Sequence, residues 1–331
     1  MTRCAVIGAG AWGTALADLL ARNGHDVRMW AYEWDVVESI NRSHQNRRFL
    51  PGSAVYDTIE AFNDVGDALV GAELVTFATP SHVLRSIART AKTSIRDGIP
   101  VVVASKGIEQ ESLALMTDVA AEELPHTTVI ALSGPSFASE VIAQQPTAVV
   151  VASADPEAAV FAQQTFSSIH FRAYTHSDVI GVEIGGALKN VMAVATGIAE
   201  GLGLGFNARA ALITRGLAEM TRLGVKLGAD PATLAGLAGL GDLVLTCTGS
   251  LSRNRAVGVE VGRGASLEKV LEGRETVSEG VVTTRSAHAL AAREEVEMPI
   301  VDAVQKVLFG GQPARDAIGA LMARELRPET D

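Results

Sequence analysis

Cysteine is nearly absent. Cys4 and Cys247 are the only two in 331 residues, and they form neither a C-x-x-C pair nor a zinc spacing. This argues against a disulfide-stapled scaffold and a structural zinc site. Two buried thiols in a reducing compartment are the expectation. Basic excess is also missing. Twenty-eight Lys and Arg face 38 Asp and Glu, for a formal charge of −10. That argues against a general binder of nucleic acid or anionic membrane. It leaves room for a small anionic ligand, whose site needs only a few local cations. No uncharged apolar run reaches about 18 residues, so no membrane span is expected. Repeats, low-complexity tracts, H-x-x-x-H, G-x-S-x-G and the P-loop are absent. His170, His176 and His288 are scattered without metal-ligand spacing, so no metal is expected.

What is present fits two globular domains, at ~100–200 residues each. A chain of this size can bury roughly 75% of its unfolded surface without staples. Arg3, the apolar residues after it and Ala15-Leu16-Ala17 superficially resemble a secretory leader. Cleavage after Ala17 would destroy three ordered glycines, which explain the segment better. The first half alternates apolar strand-like runs with helical patterns. Arg3–Ile7, Val27–Tyr32, Glu73–Thr79, Pro100–Ser105, Thr128–Leu132 and Thr147–Ala152 read as strands. Trp12–Asn23, with Gly24 as its C′ residue, Ser81–Ala91 and Glu111–Glu123 read as helices. This order implies an α/β fold with a doubly wound parallel sheet covered on both faces. From about His176 helical runs take over. Ile184–Gly201 comes first, then Asn207–Gly228 with Asn207 as N-cap, then a helix opened by Asp230-Pro231. Val281–Arg293, Ile300–Phe309 and Ala314–Arg324 follow. We therefore expect a nucleotide domain at 1–175 and an all-α substrate and catalytic domain at 176–331.

Gly8-Ala9-Gly10-Ala11-Trp12-Gly13 fits G-x-G-x-x-G and sits between a strand and a helix, the context that motif requires. Gly8 permits the tight turn, Gly10 the approach of a pyrophosphate, and Gly13 close packing of helix on strand. The helix start offers free N–H groups and the positive dipole end. The bland alternative is a glycine turn without ligand. Glu33 ends the second strand, where an acid meets a ribose 2′-hydroxyl and favours NAD. Arg47 and Arg48 are nearby cations of the kind NADP needs, or simply a solvated surface pair, so the choice between NAD and NADP stays open.

Four further segments look unlike packing sequence. Ser105-Lys106-Gly107 ends a strand, where ligand crevices open in such sheets. Ser133-Gly134-Pro135-Ser136-Phe137-Ala138 suggests a shaped loop offering N–H and hydroxyl groups. Gly185-Gly186-Ala187-Leu188-Lys189-Asn190 places two glycines inside an apolar helix at ~1 kcal/mol each, which implies a close approach. Lys189 is either a snorkelling side chain or a buried lysine whose lowered pKa lets it trade protons. Gly239-Leu240-Gly241-Asp242, Thr246 and Ser252-Arg253-Asn254-Arg255 gather an acid, hydroxyls and a guanidinium suited to phosphate.

With these motifs the sequence resembles the bacterial NAD(P)-dependent glycerol-3-phosphate dehydrogenases, in order from residue 3 to about 325. Gly8–Ala17, Ser105–Gly107, Ser133–Ala138, Gly185–Asn190, Asn207–Met220, Ala238–Thr248 and Ser252–Arg255 carry the resemblance. It implies a Rossmann domain followed by a helical domain, and interconversion of dihydroxyacetone phosphate and sn-glycerol 3-phosphate for phospholipid synthesis. A cytoplasmic homodimer using NAD or NADP, without metal, nucleic acid or membrane insertion, is implied as well. By the resemblance, Lys189 is catalytic, while Lys106, Gly134, Ser136, Asp242, Ser252, Arg253 and Asn254 contact substrate. Asp242 and Lys106 join Lys189 in the catalytic set. Ala11, Trp12, Tyr32, Ala138, Val277 and Glu279 match cofactor positions, with Lys106 and Arg253 within reach of the cofactor. Tyr32 stands where relatives often carry histidine or a basic residue, which with Glu33 weakens an NADP preference. A β-hydroxyacid dehydrogenase would give no reason for Ala238–Thr248 followed by Ser252–Arg255. A non-catalytic dinucleotide sensor would predict loss of Lys189 or Asp242, and both are present.

Overall fold

The computed structural model describes residues 1–273, 278–326 and 328–329. Eight strands form one sheet: β1 (Arg3–Ile7), β2 (Asp26–Trp30), β3 (Glu60–Phe62), β4 (Leu74–Phe77), β5 (Pro100–Val103), β6 (Thr128–Ser133), β7 (Thr147–Ala152) and β8 (Phe171–His176). Their spatial order is β3-β2-β1-β4-β5-β6-β7-β8. The first six run parallel. Side chains alternate across a strand, and here both faces are covered. Cys4 and Val6 enter one core with Leu16, Leu20 and Ile40. Ala5 and Ile7 enter the other with Leu69, Leu84 and Val119. Burial on both faces is why these strands read as continuous apolar runs.

The sheet departs from the expected all-parallel arrangement at one place. β7 pairs with β6 antiparallel, and β8 follows β7. A parallel return would have to carry the chain back along β6. The only helix between them is the five-residue Ala138–Ile142, about 7.5 Å long. A six-residue strand spans ~20 Å, so β7 runs back from where β6 ended. The short edge strand β3 and the strand β8 were not among the expected strands. Helix Met116–Glu123 starts later than the expected Glu111, because Glu109 N–H donates to Ala114 and Ile108 bridges Leu115, closing a turn first. The expected helix from Ser81 opens as a 3-10 turn over Ser81–Val83 before Leu84–Ala91.

After His176 the described residues hold helices and no strand. Helix Val179–Gly201 is the spine, and 18 of its residues are buried. It and Pro231–Thr248 are long and apolar enough to cross a membrane by length and composition, but 83% of the first helix's apolar window is buried inside the protein. Helix Phe206–Lys226 is capped by the backbone of Gly205, two residues before the expected Asn207. Gly24 and Gly228 do sit past their helices with φ of +82° and +102°, as left-handed C′ residues.

Candidate active site

The glycine loop joins β1 to helix Ala11–Arg22. Gly8 has φ +115°, and a Cβ there would lie 2.9 Å from the Ala78 carbonyl carbon on β4's exit loop. A Cβ on Gly13 would lie 1.8 Å from the Gly8 oxygen, so helix and strand can pack only with glycine there. Gly10 is different, since a Cβ would meet nothing within 4 Å. The open space lies before a helix whose N-cap supplies no side chain. The loop therefore leaves free N–H groups facing room, which fits a dinucleotide pyrophosphate. Tyr32 and Trp34 flank Glu33 just beyond β2, 78% and 67% exposed. Arg48 lies 3.3 Å from Asp35 and Arg47 hydrogen-bonds Gln45.

The exits of β5 and β6 face the helical part. Lys106, just past β5, donates to Asp242 Oδ2 at 2.7 Å and to the Gly134 carbonyl at 3.1 Å. Lys189, on the spine helix, donates to Asp242 Oδ1 at 2.7 Å and Thr246 Oγ at 2.9 Å. Asp242 is 1% exposed and Lys189 8%, so two ammonium groups share one buried carboxylate. Ser136 Oγ also donates to the Gly134 carbonyl, at 3.0 Å.

The glycines flanking this cluster explain its closeness. A Cβ on Gly185 would sit 2.4 Å from the Ala238 oxygen, and one on Gly186 would sit 2.6 Å from Ser133 Oγ. The first lets the π-helical turn Leu237–Gly241 lie against the spine and present Asp242 at the start of helix Asp242–Thr248. Such turns often mark functional sites. The second lets the end of β6 and Lys106 approach the same helix.

Electrostatics follow from burial. Desolvation pushes the Lys189 ammonium down to about 8; Asp242 opposes this and Lys106 assists it. Burial alone would raise the Asp242 carboxyl, but Lys106 and Lys189 outweigh it and hold it below the ordinary carboxylate range. Cys247 is buried beside them with its thiol pushed up to about 12, chiefly by desolvation, so it is an inert thiol.

Ser252 caps helix Arg253–Gly262 by accepting from Arg255 N–H. Arg253 is exposed, with no guanidinium hydrogen bond among the described residues. Asn254 uses its amide inside the protein. It donates to Asn190 Oδ1 at 2.9 Å and accepts from Ser278 Oγ and Gly280 N–H. Glu279 accepts from Ser81 N–H at 3.0 Å and Ser81 Oγ at 2.6 Å, tying the helical part to the loop after β4. Ala138 starts the helix after the Ser133–Phe137 loop. Val277 lies outside the described residues. Among the described residues no group of three His, Cys, Asp or Glu is arranged to hold a metal.

The structure thus brings together Lys106, Gly134, Ser136, Lys189 and Asp242, with Asn254 joined to Lys189's neighbour Asn190. Thr246 belongs to the same cluster, and its i, i+4 spacing from Asp242 on one helix was the available signal. Ser81, as the partner of Glu279, had no signal in sequence.

Known proteins share this architecture and its order. The family profile for the NAD-dependent glycerol-3-phosphate dehydrogenase N-terminus matches residues 3–159, and that for the C-terminus matches residues 178–319. The NAD(P)+ glycerol-3-phosphate dehydrogenase of Geobacter sulfurreducens is 52% identical over 330 residues, 99% of this chain and 98% of that one. That of Syntrophotalea carbinolica is 51% identical over 98% of this chain and 99% of that one. The crystal structure of glycerol-3-phosphate dehydrogenase from Coxiella burnetii superposes with a TM-score of 0.94 at 40% identity, covering 98% of this chain and 99% of that one. With both halves matched and relatives near half-identical end to end, the chain belongs to the NAD-dependent glycerol-3-phosphate dehydrogenase family.

Proposed function

We propose that this protein interconverts dihydroxyacetone phosphate and sn-glycerol 3-phosphate with NAD(H) or NADP(H). The observation that carries the reading is the convergence of Lys106 and Lys189, each 2.7 Å from a different oxygen of the buried Asp242. The Gly8–Gly13 loop would hold the cofactor, with Ala11, Trp12, Tyr32, Glu33, Ala138 and Glu279 as the side chains that would surround it. Bound there, the reduced nicotinamide supplies a hydride to the ketone carbon.

The chain's own groups handle the proton. Lys189 gives a proton to the carbonyl oxygen as it becomes an alkoxide, and takes it back in the reverse direction. With Lys189 held near 8, both protonation states are accessible around neutrality, as a reversible acid and base requires. Asp242 fixes the Lys189 ammonium in place and balances its charge. Lys106, anchored on Asp242 and the Gly134 carbonyl, faces the substrate oxygens. Ser136 and Gly134 shape the loop beneath it. Arg253 and the helix start capped by Ser252 receive the phosphate, which anchors the ketone near the nicotinamide. Asn254, whose carbonyl is already engaged, has one remaining amide hydrogen for that phosphate.

Residues 1–175 act as the cofactor unit and 176–331 as the substrate unit. Work as a cytoplasmic homodimer feeding phospholipid synthesis completes the reading, which rests on family membership. The test mixes purified protein with NADH or NADPH and dihydroxyacetone phosphate, using unphosphorylated dihydroxyacetone as control. Loss of reduced-nicotinamide absorbance that requires the phosphate supports the proposal. No loss with either cofactor, in folded protein that binds nucleotide, discards the substrate.

A further inference from the structure

We infer that Asn46 is a positioning residue that aims the glycine loop at the cofactor. Asn46 lies outside every motif singled out in the sequence, yet its side chain is completely buried. Its Nδ2 donates to the Ala9 carbonyl at 2.7 Å and to Thr14 Oγ at 2.8 Å. Its Oδ1 accepts from Phe49 N–H at 3.0 Å. Ala9 can only accept and Phe49 N–H can only donate, so the amide orientation is fixed by its partners. Thr14 Oγ itself donates to the Ala9 carbonyl at 3.3 Å.

The consequence follows from peptide geometry. In a planar trans peptide the carbonyl of one residue and the N–H of the next point in opposite directions. Holding the Ala9 carbonyl inward therefore turns the Gly10 N–H outward. That N–H has no acceptor among the described residues, and Gly10 borders the open space before the helix start. Asn46 thus sets the direction of an N–H aimed where a pyrophosphate would lie.

The segment that carries Asn46 is itself clamped. Gln45 bridges Ala54, and Val55 N–H donates to the His44 carbonyl, closing a strap from His44 to Tyr56. The strap lies on helix Ala11–Arg22 along positions 14, 18 and 22, which share one face. Asn46 meets Thr14, Tyr56 N–H donates to the buried Asp18 at 2.8 Å, and the Arg22 guanidinium sits 5.4 Å from the Tyr56 ring centre. Leu50 fixes the strap by apolar burial and by donating its N–H to the Asn46 carbonyl, and it makes no hydrogen bond to the glycine loop among the described residues.

This inference rests on the dinucleotide reading of the glycine loop. The experiment titrates NADH and NADPH by fluorescence into the wild type, Asn46→Ala and Leu50→Ala, with melting temperatures measured without cofactor. Asn46→Ala should raise both dissociation constants by about tenfold, on the order of one buried hydrogen bond. At saturating NADH its kcat and its KM for dihydroxyacetone phosphate should stay near wild type. Leu50→Ala should lower the melting temperature with cofactor affinity within about twofold of wild type. If Asn46→Ala does not fold, Asn46→Asp keeps the size and the Phe49 acceptor while removing the donors, and should show the same loss. Unchanged cofactor affinity in the Asn46 variant, or an equal loss in Leu50→Ala, overturns the inference. A wild type that binds neither nucleotide instead overturns the dinucleotide reading beneath it.

Discussion

Replacing Asp242 with asparagine keeps the size of the side chain at the centre of the site and removes its charge. Asp242 is 1% exposed and receives Lys106 and Lys189 on separate oxygens, each at 2.7 Å. An opposite charge at such range holds a lysine's pKa up by roughly 1–3 units. Lys189 stands near 8 with that support, so Asp242→Asn should bring it to about 5–7. At about pH 7.5 its protonated fraction would then fall by between roughly 3-fold and a few hundred-fold. The proton donor for ketone reduction is lost in proportion. The assay is the pH profile of kcat/KM for dihydroxyacetone phosphate at saturating NADH, with circular dichroism as a check on folding. In the wild type, reduction should decline as pH rises through about 8, while glycerol 3-phosphate oxidation climbs through the same range. In the variant the reduction limb should move to lower pH. A folded variant whose activity is merely scaled, with its limb unmoved, would refute the view that Asp242 sets the ionisation of Lys189.

Arg253→Ala should raise the KM for dihydroxyacetone phosphate with little change in kcat, because its guanidinium makes no hydrogen bond among the described residues and only the charge of Glu279 bears on it; an unchanged KM removes it from the phosphate site. Glu33→Ala should weaken NADH more than NADPH in fluorescence titrations, since the carboxylate favours a free ribose hydroxyl and repels a phosphate; equal effects take Glu33 out of the ribose site. Glu219 concerns stability. Burial raises its carboxyl to about 7 although it accepts from Ile300 and Val301 N–H. An acid whose folded pKa is raised ionises first in the unfolded chain, so stability is lost as pH rises from about 4.5 to about 7, by about 3 kcal/mol. Glu219→Gln should flatten that part of the melting temperature against pH, and an unchanged slope would place the pH dependence elsewhere.

The parts of the fold legible in sequence are those set by local pattern. β1, the glycine turn and helix Ala11–Arg22 announce themselves through buried runs, special φ angles and one tight approach. β3 has three residues and β8 alternates exposed with buried positions, so neither shows the continuous apolar run of the central strands. The reversal at β7 was hidden because a strand's composition carries no direction, while the brevity of Ala138–Ile142 shows only in the structure. In the site, the glycines at 185 and 186 pointed to a close approach, and the structure supplies the Ala238 carbonyl and Ser133 that make it. Thr246 was noticed as one hydroxyl among several, and only the fold sets it 2.9 Å from Lys189. Asn46 and the Ser81–Glu279 contact join residues far apart in sequence, and pairing at that range leaves no periodic trace.

The most direct test of the account is Lys189→Ala. Asp242 keeps Lys106 as a partner in this variant, so the site should remain folded and NADH should bind as in the wild type. Dihydroxyacetone phosphate reduction, followed in a single turnover with saturating NADH, should drop by roughly 10²–10⁴-fold, the range for loss of a general acid. Normal NADH binding with near-wild-type reduction would contradict the assignment of the proton to Lys189.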